Sequence, residues 1–223
     1  MQKNEKFLQK EYDLRFSESQ NYRINVWKIL CNYFFNKFIR PNDSVLELGP
    51  GWGEFINNIN AQKKFAIDLN PQTGSKLEKE VYFYQQDASL DWNIPSESID
   101  VIFSSNFLEH LEDKMRIERI IKEAYRVLRI NGRILLLGPN IKFVKGEYWD
   151  FWDHYIPLTD VSVTELLYIN GFEVKDSIPR FLPYSMSTGF QPNLIFVKLY
   201  LRFPFFWRFF GKQFFIVGEK AEH

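Results

Sequence analysis

The stretch Val45-Leu46-Glu47-Leu48-Gly49-Pro50-Gly51-Trp52-Gly53-Glu54-Phe55 runs an apolar strand pattern directly into three glycines at alternate positions. Residues without a Cβ let the chain turn sharply and approach a ligand closely, and a helix that follows presents unpaired N–H groups. The segment therefore points to a nucleotide-like cofactor, although a tight strand-to-helix turn that binds nothing carries similar glycines. Two features narrow the ligand. Gly53 is not followed by the Lys-Ser/Thr ending of a P-loop, and Glu47 stands in the strand, where its charge opposes a pyrophosphate and suits an ammonium.

Working outward, Glu54 to Ile59 reads as the helix after the turn, and Phe65-Ala66-Ile67 as a second strand ending at Asp68. Strand, glycine turn, helix and strand open a βαβ unit. Asp68 lies about where an acidic side chain accepts from a ribose diol. Val81 to Tyr84 forms a third strand ahead of Asp87, whose carboxylate suits an adenine amino group. Ile99 to Phe103 is a fourth, after which the polarity changes at Ser104-Ser105-Asn106. Met115, Ile117, Ile120, Ile121, Ala124 and Leu128 keep a helical period that Asn131-Gly132 stops. Ile134 to Leu137 is a fifth strand without alternation, as expected where both faces are covered. Ser162 and Glu165 have capping-box spacing before a helix that Asn170-Gly171 ends. Phe172-Glu173-Val174 begins a sixth strand and Gln213 to Gly218 supplies the last.

Upstream, Trp27, Leu30, Cys31, Phe34 and Phe38 give a helix over Tyr22 to Phe38, broken by Pro41-Asn42-Asp43. The alternation predicts an α/β chain with a seven-stranded, mostly parallel sheet and helices on both faces. Glu47, Asp68 and Asp87 together describe a ligand with a cationic amino acid, a ribose and a base. That is S-adenosylmethionine rather than NAD.

From about Asn42 to Gly218 the chain resembles class I S-adenosylmethionine-dependent methyltransferases of the type 11 kind. The matches are the opening stretch, Ala66-Ile67-Asp68-Leu69-Asn70, Gln86-Asp87-Ala88, Phe103 to His110, and Glu123 to Gly132. The resemblance implies a Rossmann-like sheet and S-adenosyl-L-methionine as cofactor, with S-adenosyl-L-homocysteine as product. It implies that Gly49, Gly51 and Gly53 shape the methionine pocket and that Glu47 supports the amino group. Asp68 would hold the ribose hydroxyls, Leu69 would lie on the adenine, Asp87 and Ala88 would meet its edge, and Asn106 and His110 would line the pocket. Pro50 and Ile130-Asn131 depart from the common pattern without removing a donor or acceptor. A weaker resemblance, over Trp149 to Thr159 and Pro204 to Arg208, is to methyltransferases of bacterial surface-polysaccharide synthesis. It makes O-methylation of a sugar or glycan, lipid-linked or not, the first expectation. A small-molecule or quinone-type acceptor is the alternative, and a non-catalytic S-adenosylmethionine-binding protein a third reading.

Domain boundaries follow: an N-terminal helical cap over 1–41 and the methyltransferase domain over 42–223, with a lid at 141–160 and an aromatic insertion at 181–212. Within the lid, His154 is the candidate base, oriented by a neighbouring carboxylate such as Asp153, and His110 is a second catalytic candidate. Each histidine has a bland alternative, packing in the pocket or bracing the loop. Asp153-His154 has no third or fourth ligand at credible spacing, so no metal is expected.

The insertion alternates large apolar groups with Lys198, Arg202, Arg208 and Lys212 and carries no acid between Leu194 and Lys212. It is read as packing or a homodimer contact, as a substrate cap, or as peripheral membrane contact through 194–212. The 28 acidic and 28 basic residues cancel, which argues against nucleic acid as substrate. Met1 to Lys10 lacks the apolar core of a secretory signal, so a cytoplasmic location is expected, at most peripheral at the inner face of the membrane. The single Cys31 is expected to be a buried small hydrophobe.

Overall fold

The computed structural model describes residues 20–184 and 191–222. Residues 1–19 of the expected cap, residues 185–190 near the start of the insertion and His223 lie outside the described residues. Seven strands form one sheet in the order β3-β2-β1-β4-β5-β7-β6. They are β1 (Ser44–Leu48), β2 (Lys63–Asp68), β3 (Val81–Gln85), β4 (Ile99–Ser105), β5 (Leu128–Pro139), β6 (Phe172–Ile178) and β7 (Gln213–Lys220). All pairs from β3 through β5 are parallel, and β7 is antiparallel to both neighbours. The strand order reverses beside β1, where β2 lies on one side and β4 on the other. In open α/β sheets that switch point is where a crevice opens beyond the carboxyl ends of the strands.

Alternate residues of the central strands bury on opposite faces, which is why β1 is buried along its whole length, Glu47 included. Val45, Ala66, Val101, Phe103 and Leu135 join one core with α1 (Gln20–Tyr33). Leu46, Leu48, Ile67, Ile102 and Leu136 join the other with α2 (Lys114–Val127) and α4 (Asp160–Ile169). Trp27 of α1 sets its edge against Phe55 and Phe103, which stack on each other at 3.7 Å between centroids. Aromatic pairs of this kind contribute about 0.5–1.5 kcal/mol beyond the area they bury. They tie α1 to the segment just after the glycines. Cys31 is fully buried, and burial pushes its thiol well up from the ordinary range.

Three local expectations are corrected. Residues 51–59 form successive turns rather than a regular helix; the Ile56 N–H donates to Glu47 Oε2 at 3.0 Å, and Asn57 spends its side chain on Lys76 and Glu78. Helix α2 ends at Val127, because Leu128 already pairs with Ile99 in the sheet, and Asn131 sits inside β5 at φ +63°. The capping box of α4 is Thr159 with Ser162, not Ser162 with Glu165.

The segment expected as a lid begins with α3 (Ile141–Val144), capped by Asn140, and continues as a 3₁₀ turn over Lys145–Asp150. In the insertion, Pro204 separates α5 (Leu194–Arg202) from a 3₁₀ turn, Pro204–Phe206, and α6 (Trp207–Phe210). A ring cannot donate a backbone hydrogen bond, so the division follows from the sequence.

Candidate active site at the carboxyl ends of the parallel strands

The first half of the site is the bend after β1. Gly49, Gly51 and Gly53 all have positive φ, at +64°, +58° and +76°. A Cβ on Gly49 would stand 2.5 Å from Phe107 Cδ2, and one on Gly53 would stand 2.8 Å from both Asn57 and Leu77. Side chains are excluded there by space as well as by conformation. Beneath the bend, Glu47 is 4% exposed. Burial pushes its carboxyl well above the usual range, the Ile56 N–H partly offsets this, and the Glu54 and Asp68 charges add to it. A buried carboxyl of that kind ionises readily only when a cation meets it.

At the end of β2, Asp68 accepts from the Asn70 N–H at 2.8 Å. Burial raises its pKa, against backbone donors at Asn70, Gly51 and Leu69 and the Thr73 hydroxyl. Leu69 beside it is 37% exposed, an apolar face in the open. Past β3, Asp87 Oδ1 accepts from the Ser89 N–H and hydroxyl, and Oδ2 from Arg116 Nη1 at 2.9 Å. Burial pushes the Asp87 carboxyl up, but Ser89 and Arg116 outweigh it and hold the carboxyl below its ordinary value. Ala88 is buried behind it. Asn106, at the exit of β4, has φ +48°, with its N–H on the Leu137 carbonyl and its amide on Ser105. Non-glycine residues held in the left-handed region cluster at functional sites.

The second half of the site is acid–base. The 3₁₀ turn Leu108–His110 follows Phe107, so the ring that abuts Gly49 also leads into His110. The main-chain carbonyl of Glu109 accepts from the Tyr155 N–H at 2.9 Å, which pins the lid segment to the turn. His110 Nδ1 lies 3.0 Å from Asp153 Oδ2 and 3.1 Å from the Asp153 carbonyl. His154 Nδ1 lies 2.8 Å from the Tyr148 carbonyl. The two imidazoles are 4.9 Å apart between centroids. Tyr148 is wholly buried and donates its hydroxyl to the Ile156 carbonyl.

The carboxylate thus orients His110, where the sequence suggested that it orients His154. Burial would lower the His110 pKa, but Asp153 and Glu109 outweigh it and the net effect is upward. Glu109, 1% exposed, is the residue that sequence reading gave no role: burial pushes its carboxyl up to about 7. Its only sequence signal is an acid beside a histidine in an otherwise apolar turn. Asp150, also in the lid run, falls in the exposed part of the loop, with Trp149 and Trp152.

Residues 46–136 match the family model described as a methyltransferase domain. The match spans the glycine bend, Asp68, Asp87 and the Asn106–His110 turn. The chain has a class I S-adenosylmethionine-dependent methyltransferase fold. A protein of Mycolicibacterium smegmatis named as a probable S-adenosylmethionine-dependent methyltransferase is 36% identical over 90 residues, 40% of this chain and 34% of that one. The chain therefore spans about a third of that relative's length. The demethylmenaquinone methyltransferase of Lactobacillus johnsonii is 25% identical over 190 residues, 75% of this chain and 76% of that one. Among solved structures, the complex between the Haloferax volcanii Trm112 methyltransferase activator and a protein described as a putative methyltransferase gives a superposition with a TM-score of 0.68. The matched chain is 14% identical, and the alignment covers 95% of this chain and 97% of that one.

The residues present fit S-adenosylmethionine. At Gly49 and Gly53 a Cβ would collide with Phe107 and with Asn57 and Leu77, so the bend needs glycine there; Glu47 is a buried carboxyl whose charge a cation would favour, and Asp68 is a second carboxylate at the next strand end. Glu47 would meet the ammonium, Asp68 the ribose, and Leu69 with Asp87 and Ala88 the base.

Proposed function

We propose that the protein transfers a methyl group from S-adenosylmethionine to a small, apolar, hydroxyl-bearing acceptor of the quinol kind. The observation that carries this reading is the Glu109, His110, Asp153 and His154 group, set beside the Phe107–Gly49 contact. The bound cofactor supplies an activated methyl carbon, so alignment with a nucleophile is the main remaining demand. The chain has to make that nucleophile. A hydroxyl proton must leave whether the methyl goes to oxygen or to a ring carbon conjugated with it. With Nδ1–H directed at Asp153, His110 keeps its basic lone pair on Nε2, the arrangement of a carboxylate-oriented general base.

Similarity to a demethylmenaquinone methyltransferase over three quarters of both chains supports an acceptor with an apolar tail. So does an apolar cleft of about 500 Å³ between α1 and α5, walled by Val26, Leu30, Val197 and Leu201. Along α5, the turn after it and α6, Phe203, Phe205 and Phe209 are exposed among Lys198, Arg202 and Arg208, together with Phe196 and Phe210, which also line the cleft. A face of that composition suits the headgroup layer of an anionic bilayer, where a lipidic acceptor resides. Glycan methylation is the second reading, favoured by Trp149 and Trp152, which are 57% and 84% exposed and free to stack on a sugar face.

Purified protein with S-adenosylmethionine, offered a demethylated menaquinol analogue or a panel of nucleotide-linked and lipid-linked sugars, separates the two by mass spectrometry. Methylated quinol is the expected product. A methyl group found on sugars alone overturns the reading in favour of glycans. Cofactor binding with no S-adenosylhomocysteine formed from any acceptor makes the protein a binder.

A further inference from the structure

The sequence offers Asp153-His154 as a lone ligand pair, and the fold adds what is missing. Glu109, His110 and His154 each place one ligating atom within 4.8 Å of those of the other two. Two come from the turn after β4 and the third from the lid, so sequence spacing does not reveal the group. Glu109 and His154 are 1% and 7% exposed, a dry setting for a charged centre.

The hydrogen bonds fix the tautomers. The Tyr148 carbonyl can only accept, so the proton of His154 sits on Nδ1; for His110 the carbonyl and carboxylate of Asp153 impose the same choice. Both neutral rings then carry their lone pair on Nε2, the nitrogen each would have to turn toward a shared ion. An acceptor behind Nδ1–H, carbonyl for one ring and carboxylate for the other, is the support that metal-binding histidines characteristically have. Two imidazoles and one carboxylate form a donor set for a first-row divalent ion such as Zn²⁺, Mn²⁺ or Fe²⁺, and leave coordination positions open. Bonds of about 2.0–2.2 Å bring neighbouring ligand atoms to roughly 3–3.5 Å, a contraction of about an ångström or more from the outer limit of the present spacing.

We infer that Glu109, His110 and His154 bind one divalent transition-metal ion, which takes the acceptor hydroxyl in an open position. The inference rests on the methyl-transfer reading for the ion's use, though not for its binding. With Nε2 on the ion, His110 serves as a ligand and no longer as the base it would be in the metal-free site; coordination of the acceptor oxygen weakens its O–H bond, and the proton leaves to solvent water. The electron pair so exposed, on oxygen or delocalised to a ring carbon, forms the bond to the methyl carbon. The C–S bond breaks with its pair going to sulfur, so the products are methylated acceptor, S-adenosylhomocysteine and one proton.

The test uses full-length protein stripped with a chelator and titrated with Zn²⁺, Mn²⁺ or Co²⁺ by calorimetry, with the Co²⁺ visible spectrum as a second readout. One ion per chain is expected, with d–d bands that show nitrogen ligation. His154→Ala and Glu109→Gln abolish that binding at ion concentrations that saturate the wild type, while S-adenosylhomocysteine binding, measured on the same samples, persists and certifies the fold. Asp153→Asn retains all three ligands and weakens the site about 10- to 100-fold. Should a variant fail to fold, the wild-type stoichiometry and the Asp153→Asn shift still decide. No saturable binding of any of the three ions, or binding unaltered in His154→Ala, overturns the inference. Quinol methylation that survives the chelator overturns the ion's part in the reaction and spares the methyl-transfer reading; an ion bound without any methyl transfer spares the site and overturns that reading.

Discussion

Glu47→Gln isolates the charge under the glycine bend. The amide oxygen can still accept from the Ile56 N–H, which now donates to Glu47 Oε2 at 3.0 Å, so the bend keeps its anchor. What disappears is the carboxylate that a cofactor ammonium would meet in a place only 4% exposed. A hydrogen bond to a charged partner contributes about 1.5–3 kcal/mol, and about 1.4 kcal/mol is tenfold in affinity. The variant should bind S-adenosylhomocysteine about 10- to 150-fold more weakly. The pH dependence has a definite sign. Burial keeps the free protein's Glu47 protonated well above the usual carboxylate range, so binding an ammonium must expel that proton. Wild-type affinity therefore rises with pH until Glu47 ionises unaided, and the variant's affinity lacks this rise. Folding runs the other way: a raised carboxyl pKa favours the folded state below the unfolded value, and that contribution is lost as pH rises through the folded pKa. The variant should consequently gain on the wild type in alkaline melting experiments. Calorimetry in buffers of different ionisation enthalpy measures the proton release directly. Binding by Glu47→Gln within about threefold of wild type, with the same proton count, would refute the assignment.

Gly49→Ala combines a left-handed φ, which costs an L-residue about 1–2 kcal/mol, with a Cβ 2.5 Å from Phe107; thermal unfolding should fall by several degrees and cofactor binding should be lost, and Gly49→Ala/Phe107→Ala should recover stability more than binding. Arg116→Ala removes a partner that holds the Asp87 carboxyl down. A depressed carboxyl adds stability above its unfolded pKa that is lost as pH falls through the folded one, so the variant's acid side of a urea-stability profile should flatten, and an unchanged profile would show the pair to be inert. Vesicles with anionic lipid should co-sediment the protein, and Phe205→Ser/Phe209→Ser should return it to the supernatant; wild type recovered wholly in the supernatant would leave the aromatic face to another partner.

The strands were legible because both sheet faces are covered. Continuous apolar runs such as Val45-Leu46 and Ile134 to Leu137 have few other uses, and carboxylates at strand ends stand out against them. Element ends were less legible. The stop of α2 is set by Leu128 pairing with Ile99, a contact between residues 29 positions apart, and the turns at 51–59 reflect capture of the Ile56 N–H by a side chain nine residues back. Neither is a local propensity. The cofactor half of the site was readable because its residues follow successive strands at regular intervals. The acid–base half was only partly so: His110, Asp153 and His154 were named, but which carboxylate faces which ring depends on how the lid folds back. Glu109 resembles any solvated acid until the turn buries it.

The Tyr155 amide rests on the Glu109 carbonyl, and that same short turn presents Phe107 to the Gly49 bend. Any movement that admits or releases an acceptor past Tyr155 would therefore be felt by the glycine bend that is proposed to receive the methyl donor. Turnover built this way favours a fixed sequence of events, donor first and acceptor second. Its clearest trace in kinetics would be inhibition by S-adenosylhomocysteine that is competitive against the donor alone.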